Sequence, residues 1–147
     1  MEFINYLIIF IYSYVLPPTS ESTSNYVKLQ GSSLSHLNNF AKVGELNPAT
    51  VLTLTIVTGS MSNTQLVADY YRTVEGLTVF DETNMHLKIS GSVAVLSKEF
   101  NTSFNEYECD RKDVCFATNS DISIPQSLQS KVIGVLGLEN MMTLKPH

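Results

Sequence analysis

The sequence has no tryptophan, two cysteines and three histidines among 147 residues, and each shortage removes a class of chemistry. Two sulfurs, Cys109 and Cys115, are too few for a closed thiolate zinc site, and their spacing is not the Cys-x-x-Cys of a redox motif. His36, His86 and His147 are dispersed along the chain, so no His-Glu-x-x-His metal helix exists. Each reads as a solvated side chain rather than a base or ligand. Positive charge is also scarce, with 9 Lys plus Arg against 14 Asp plus Glu and a formal net charge of -5. Such a chain repels the phosphates that dominate nucleic-acid affinity, which argues against a DNA or RNA partner. Phosphate-cradling glycine loops and calcium loops are missing too. The strings nearest to a Gly-x-Ser-x-Gly nucleophile turn, residues 58–62 and 90–92, lack the second glycine and read as helix caps. No catalytic residue, cofactor or metal ligand is therefore expected.

Long apolar runs are limited to one. Phe3 to Leu16 (FINYLIIFIYSYVL) precedes Pro17-Pro18 and a polar stretch, and it is shorter than the about 20 residues of a bilayer span. With small residues at Ser20, Ser22 and Ser24 it fits a secretory signal peptide over residues 1–24, although Glu2 stands where a basic residue is usual. The expected destination is secretion or the endolysosomal lumen, with membrane contact through that segment alone. An oxidising compartment allows Cys109 and Cys115 to pair across a short charged turn. Asn101-Thr102-Ser103 is an Asn-x-Ser/Thr sequence, which makes Asn101 a possible glycosylation acceptor.

What is present is a core-forming composition, 44% hydrophobic, in a chain of one-domain length. Residues 26–48 show no sustained period and read as an extended arm lying on a domain. NPATVLTLTIV, residues 47–57, then alternates, with Leu52, Leu54 and Ile56 on one side of a strand. Ser62-Asn63-Thr64-Gln65 reads as a capping box opening a helix, with Leu66, Val67, Tyr70, Tyr71 and Val74 at helical spacing and Gly76 at its end. The Tyr70-Tyr71 pair is most simply core. Leu77 to Phe80 and Met85 to Ile89 form a hairpin. Ser90-Gly91-Ser92 caps a second helix with Val93, Leu96 and Phe100 on one face. Phe104 to Cys109 and Val114 to Thr118 form the hairpin that the cysteines close. Ile124-Pro125 opens a short helix, and Val132 to Leu138 is a last strand. The order β, α, β, β, α, β predicts an α+β, ferredoxin-like antiparallel sheet with helices on one face.

Several strings together resemble one family: YVKLQGS with VGELNPATVLTLTIV, then EGLTVF, NMHLKISGSVAVLSKEFNTSFNEYE, and ATNSDISIPQSLQSKVIGVLGLEN. Their order is similar to that of the activation prodomain of sedolisins, the kumamolisin-like and tripeptidyl-peptidase-like serine carboxyl peptidases. The resemblance implies a prodomain over residues 25–139 that acts as folding aid and inhibitor, followed by the start of a linker, residues 140–147. Between Val57 and Ser62 the family carries an additional helix, so the domain is expected to be shortened by one helix. The family's Glu and Asp pair, its Ser-Gly-Thr-Ser serine and its calcium site would lie beyond His147, so the chain is not expected to be an enzyme by itself. The implied partner is a sedolisin-type serine peptidase catalytic domain, in trans or as a downstream part. Glu139, Asn140, Lys145, Pro146 and His147 form the implied peptidase-facing tail. Two other readings stand beside this one: the front of a truncated or mis-predicted peptidase precursor, and a secreted structural domain that has lost peptidase binding.

Overall fold

In the computed structural model, which describes residues 25–35 and 37–141, the alternating stretch forms the middle of the molecule. Residues 1–24, over which a signal peptide is expected, His36 and residues 142–147 lie outside the described residues. In chain order the strands are β1 (Tyr26–Lys28), β2 (Lys42–Glu45), β3 (Val51–Val57), β4 (Thr78–Phe80), β5 (His86–Ser92), β6 (Phe104–Tyr107), β7 (Cys115–Thr118), β8 (Ser123–Pro125) and β9 (Gly134–Leu136). Helix α1 (Met61–Arg72) lies between β3 and β4, and α2 (Val93–Phe100) comes directly after β5.

The main sheet has the order β4-β5-β3-β9, with every neighbouring pair antiparallel. This is the ferredoxin-like arrangement, with β6, β7 and β8 inserted before the last strand. β3 pairs with β5 along its whole length, placing Leu54 opposite Ile89 and Ile56 opposite Leu87. All four are fully buried, beneath Val67, Ala68 and Tyr71 of α1 and Val93, Leu96 and Phe100 of α2. Each such side chain contributes about 1.5–3 kcal/mol of transfer free energy. Both helices serve this one core, and among the described residues no α-helix covers the other face of the sheet. β6 and β7 form a second, three-stranded sheet with β2, and β1 pairs with β8.

Local chemistry sets the helix ends, with one correction to the expected cap. The N-cap of α1 is Ser60, two residues before Ser62: its backbone is extended and its Oγ accepts from the Asn63 amide at 3.2 Å. Gly59 (φ +81) turns the chain out of β3, and Thr58, tied through its amide to the Met85 carbonyl at 2.8 Å, fixes where that turn falls. The helix therefore starts as soon as the strand is released. Val57 reaches α1 through Thr58, Gly59 and Ser60 alone. At the other end α1 stops at Arg72 with Thr73 as its cap, and Gly76 (φ +93) closes the next turn rather than the helix. Ser92 caps α2 as expected, accepting from the Val95 amide at 3.2 Å.

Two further expectations are corrected. Residues 26–48 contribute β1 and β2 rather than a plain arm, since their hydrogen-bond partners, β8 and β6, lie far along the chain. Pro125 ends β8 opposite Tyr26, and the short helix expected there is a single 3-10 turn, Gln126–Leu128. A proline tolerates the end of a strand as well as the start of a helix, and the pairing with β1 decides between them.

The loop after β1 is held by the Asp121 carboxylate, which accepts from the Ser33 amide at 2.9 Å, the Ser33 hydroxyl at 2.8 Å and the Gly31 amide at 3.2 Å. These donors hold its carboxyl below the ordinary carboxylate range, because hydrogen bonds to the ionised form favour it. A depressed folded value stabilises the fold at neutral pH, and the contribution disappears as pH falls below about 4 and passes through the folded value. Asp121→Asn is expected to melt below the parent at pH 7, with the gap closing in acid. Equal melting curves at pH 7 sink this assignment. In the core, the Tyr71 hydroxyl is buried and meets no hydrogen-bond partner among the described residues. Tyr71→Phe removes that unpaired group and is expected to be neutral or stabilising by about 1 kcal/mol in urea unfolding.

Candidate functional site

The side chains of β3 that point away from the helices, Val51, Thr53, Thr55 and Val57, are the second half of its alternation. Sheet register places neighbours beside them: Lys88 and Leu136 flank Thr55, His86 and Gly134 flank Val57, and Ser90 sits by Thr53. On the outer side Phe80 lies opposite Lys88 and Thr78 opposite Ser90. Val51, Leu136 and Phe80 are 67%, 61% and 40% exposed. The face is therefore a field of small hydroxyl groups with exposed apolar side chains at intervals. An antiparallel sheet with one solvated face is ordinarily more polar than this, and exposed apolar groups on one flat surface suit docking against another protein.

Charge on this face is confined to one corner. Asp81 Oδ2 lies 3.3 Å from His86 Nε2 and 3.4 Å from Lys88 Nζ. The hydrogen bond from His86 and then that from Lys88 hold the Asp81 carboxyl below its ordinary range. Arg72 joins Glu82 and Asp69 nearby. The expectation that His86 is a solvated strand residue is refined by these contacts: Asp81 meets its Nε2, and the Thr83 hydroxyl lies 3.4 Å from its Nδ1.

The C-terminal strand leads from this sheet to the other. Gly137 (φ +99) passes so close to β3 that a Cβ there would sit 2.7 Å from the Thr53 carbonyl oxygen, so glycine is required on both counts. Leu138 is buried in the core, and Glu139 bridges Ala117 of β7. Asn140 then uses every polar group it has. Its amide donates to the Phe116 carbonyl at 3.1 Å, its Oδ1 accepts from the Phe116 amide at 2.7 Å, and its Nδ2 donates to the Val114 carbonyl at 2.8 Å. The Arg111 guanidinium donates to its carbonyl oxygen. Of the implied tail, Glu139 and Asn140 are thus placed against β7, and Lys145, Pro146 and His147 lie outside the described residues.

Cys109 and Cys115 are joined as a disulfide with a Cα separation of 6.2 Å, closing the loop that carries Arg111. Asn101 is exposed at the C-terminus of α2 with φ 50, and Ser103 two residues on is exposed as well. A further cluster has no local sequence signal: the hydroxyls of Tyr26 and Tyr70 stand 2.6 Å apart and donate to Glu99 Oε2 at 3.1 and 2.8 Å. It ties β1 to both helices. Burial pushes the Tyr70 hydroxyl well above its ordinary range, so it stays protonated as a donor. Only a helical residue spaced off the core stripe, as Tyr70 is beside Tyr71, hints at such a role.

Among the described residues no group of three or more His, Cys, Asp or Glu is placed to hold a metal ion, and no helix is long and apolar enough to cross a membrane. A cleft of about 490 Å³ between the end of α1 and α2 is lined by Val74, Glu75, Gly76, Val95, Lys98 and Glu99, without a nucleophile and base pair. Residues 67–141, just over half of the chain, match the family described as pro-kumamolisin, activation domain. No curated protein matches the chain.

Cutting the disulfide restores conformational freedom to the unfolded chain across a sequence separation of 6, which the chain-entropy account values at about 2 kcal/mol. Adding a dithiol reductant is expected to lower the melting temperature measurably. An unchanged melt in a sample whose free thiols have been counted would contradict that contribution.

Proposed function

This chain belongs to the pro-kumamolisin activation domain family, and on that premise we propose that it is a folding aid and inhibitor for a sedolisin-type serine peptidase catalytic domain. The observation that carries this reading is the helix-free face of the β4-β5-β3-β9 sheet, with Val51, Leu136 and Phe80 exposed on it. A rigid, mostly uncharged sheet is a preformed template. Its backbone is already fixed by strand pairing, so a partner that packs on it meets a lower entropic cost than with a flexible segment. In this reading the segment from Glu139 to His147 is the part that approaches the partner, which is supplied in trans or within the same precursor. Encounter takes place in the secretory or endolysosomal lumen, where the Cys109–Cys115 disulfide is stable and Asn101 is open to glycosylation.

Acid weakens the complex in this reading. Carboxylates at the interface that are paired while ionised lose those contacts on protonation, and Asp81 stands at the edge of the face with its carboxyl held below the ordinary range by His86 and Lys88. Its carboxylate is ionised at neutral pH, and its contacts are lost as pH falls through that depressed value. In this scheme catalysis belongs to the partner.

The test is titration of a purified sedolisin-type catalytic domain with the full chain at mildly acidic pH. Stoichiometric inhibition is expected, and Leu136→Arg, which places a long cation on the open face, is expected to weaken it by about tenfold or more without changing the melting temperature. No inhibition and no binding at any ratio overturns the proposal. Full potency in Leu136→Arg removes the open face from it.

A further inference from the structure

Asn140 is held from two sources that differ in kind. Its amide and its Oδ1 bond to the main chain of Phe116, inside β7, and these contacts belong to the sheet. Its Nδ2 and its carbonyl oxygen bond to Val114 and Arg111, both in the loop between the two cysteines. We infer that Arg111, kept in place by the Cys109–Cys115 disulfide, is a positioning residue that fixes the direction in which the chain leaves the domain at Asn140. For its functional consequence this rests on the prodomain reading above.

The geometry supports a clasp. Cys115 is the first residue of β7 and only 1% exposed, so one end of the loop is anchored in the sheet. Cys109 lies just past β6, and the disulfide brings the two strand ends to a Cα separation of 6.2 Å. The loop is thereby pinned at both ends, with Arg111 near its middle. Its Nη2 lies 3.4 Å from Cys115 Sγ while also donating to the Asn140 carbonyl, which puts the guanidinium between the disulfide and the departing chain. A hydrogen bond from a cation to a carbonyl is stronger than a neutral one. It falls on the carbonyl of Asn140, whose amide and Oδ1 are already taken by Phe116 of β7. The Glu139 carboxylate accepts from the Met141 amide at 2.6 Å, so the turn is braced from both sides.

Reduction by a dithiol breaks the S–S bond: each sulfur gains one electron and one proton, and the dithiol becomes its cyclic disulfide. The loop-borne contacts of Val114 and Arg111 then lose their fixed position, whereas the Phe116 contacts remain. The segment loosens without leaving the sheet, and an ordered exit becomes a disordered one. Ordering it again on the partner costs binding free energy, so inhibition weakens.

Hydrogen exchange on the full chain is the direct measurement. Arg111→Ala is expected to speed exchange of the Asn140 and Met141 amides by about tenfold, with the β3 and β5 amides unchanged. Arg111→Lys, which keeps a donor, recovers part of the protection. Dithiol reductant is expected to reproduce the Arg111→Ala effect in the parent chain and to have a smaller effect in Arg111→Ala, where only the Val114 contact remains for it to loosen. Unchanged exchange at these amides in Arg111→Ala overturns the clasp, as does a reductant effect of equal size in both proteins. The same proteins are titrated against the catalytic domain, where Arg111→Ala is expected to inhibit several-fold less tightly than the parent. If the parent itself does not inhibit, the prodomain reading falls, and the exchange data still decide the clasp.

Discussion

The pairing of β3 with β5 is the constraint on which the rest of the structure depends. It is the longest ladder in the main sheet, running from Val51 opposite Ser92 to Val57 opposite His86. It places Leu54, Ile56, Leu87 and Ile89 together on one face. Strand side chains alternate, so the same register that builds the core sets Thr53, Thr55, Lys88 and Ser90 on the opposite face. A slip of one residue would exchange the two faces. Helix placement is a consequence: α1 and α2 bury apolar stripes, and they do so on the face that carries Leu54, Ile56, Leu87 and Ile89. The open face is the remainder of the same arithmetic.

Around that core, long-range polar contacts do what a larger core would otherwise do. Asp121 gathers the loop after β1, the Tyr26 and Tyr70 hydroxyls meet Glu99 across three elements, and Asn140 completes the edge of β7. Each joins segments too short to stand alone, since β1, β8 and β9 have three residues apiece. These ties also differ in what disturbs them. The Asp121 contact responds to acid because its donors prefer the ionised form, and the Asn140 contact is linked to the disulfide because half of its partners lie in the closed loop.

Legibility in the sequence tracks the range of the interaction. β3, the β4–β5 hairpin, the Ser92 cap and the disulfide hairpin are all readable, since alternation, turn residues and caps act within a few positions. The cap of α1 is displaced by two residues because a hydrogen bond from Thr58 to Met85, far along the chain, ends the strand. Pro125 resembles a helix start because its local preference fits both roles. The short strands of the N-terminal arm escape notice for the same reason: a three- or four-residue strand has too little pattern to register and exists through its partner.

The site divides along the same line. Sequence alone determined the alternation that leaves one face of the sheet exposed, the two cysteines that pair, and the family signature ending in Gly-Leu-Glu-Asn, because these are matters of residue type and near spacing. Only the tertiary structure decided what that signature does. Gly137 packs against β3, Leu138 enters the core, and Glu139 and Asn140 meet β7, with Arg111 of the disulfide loop holding the last carbonyl. Those contacts join residues distant in the chain, and such separations leave no periodic trace in a sequence; they are settled by which register of β3 against β5 buries the most apolar surface.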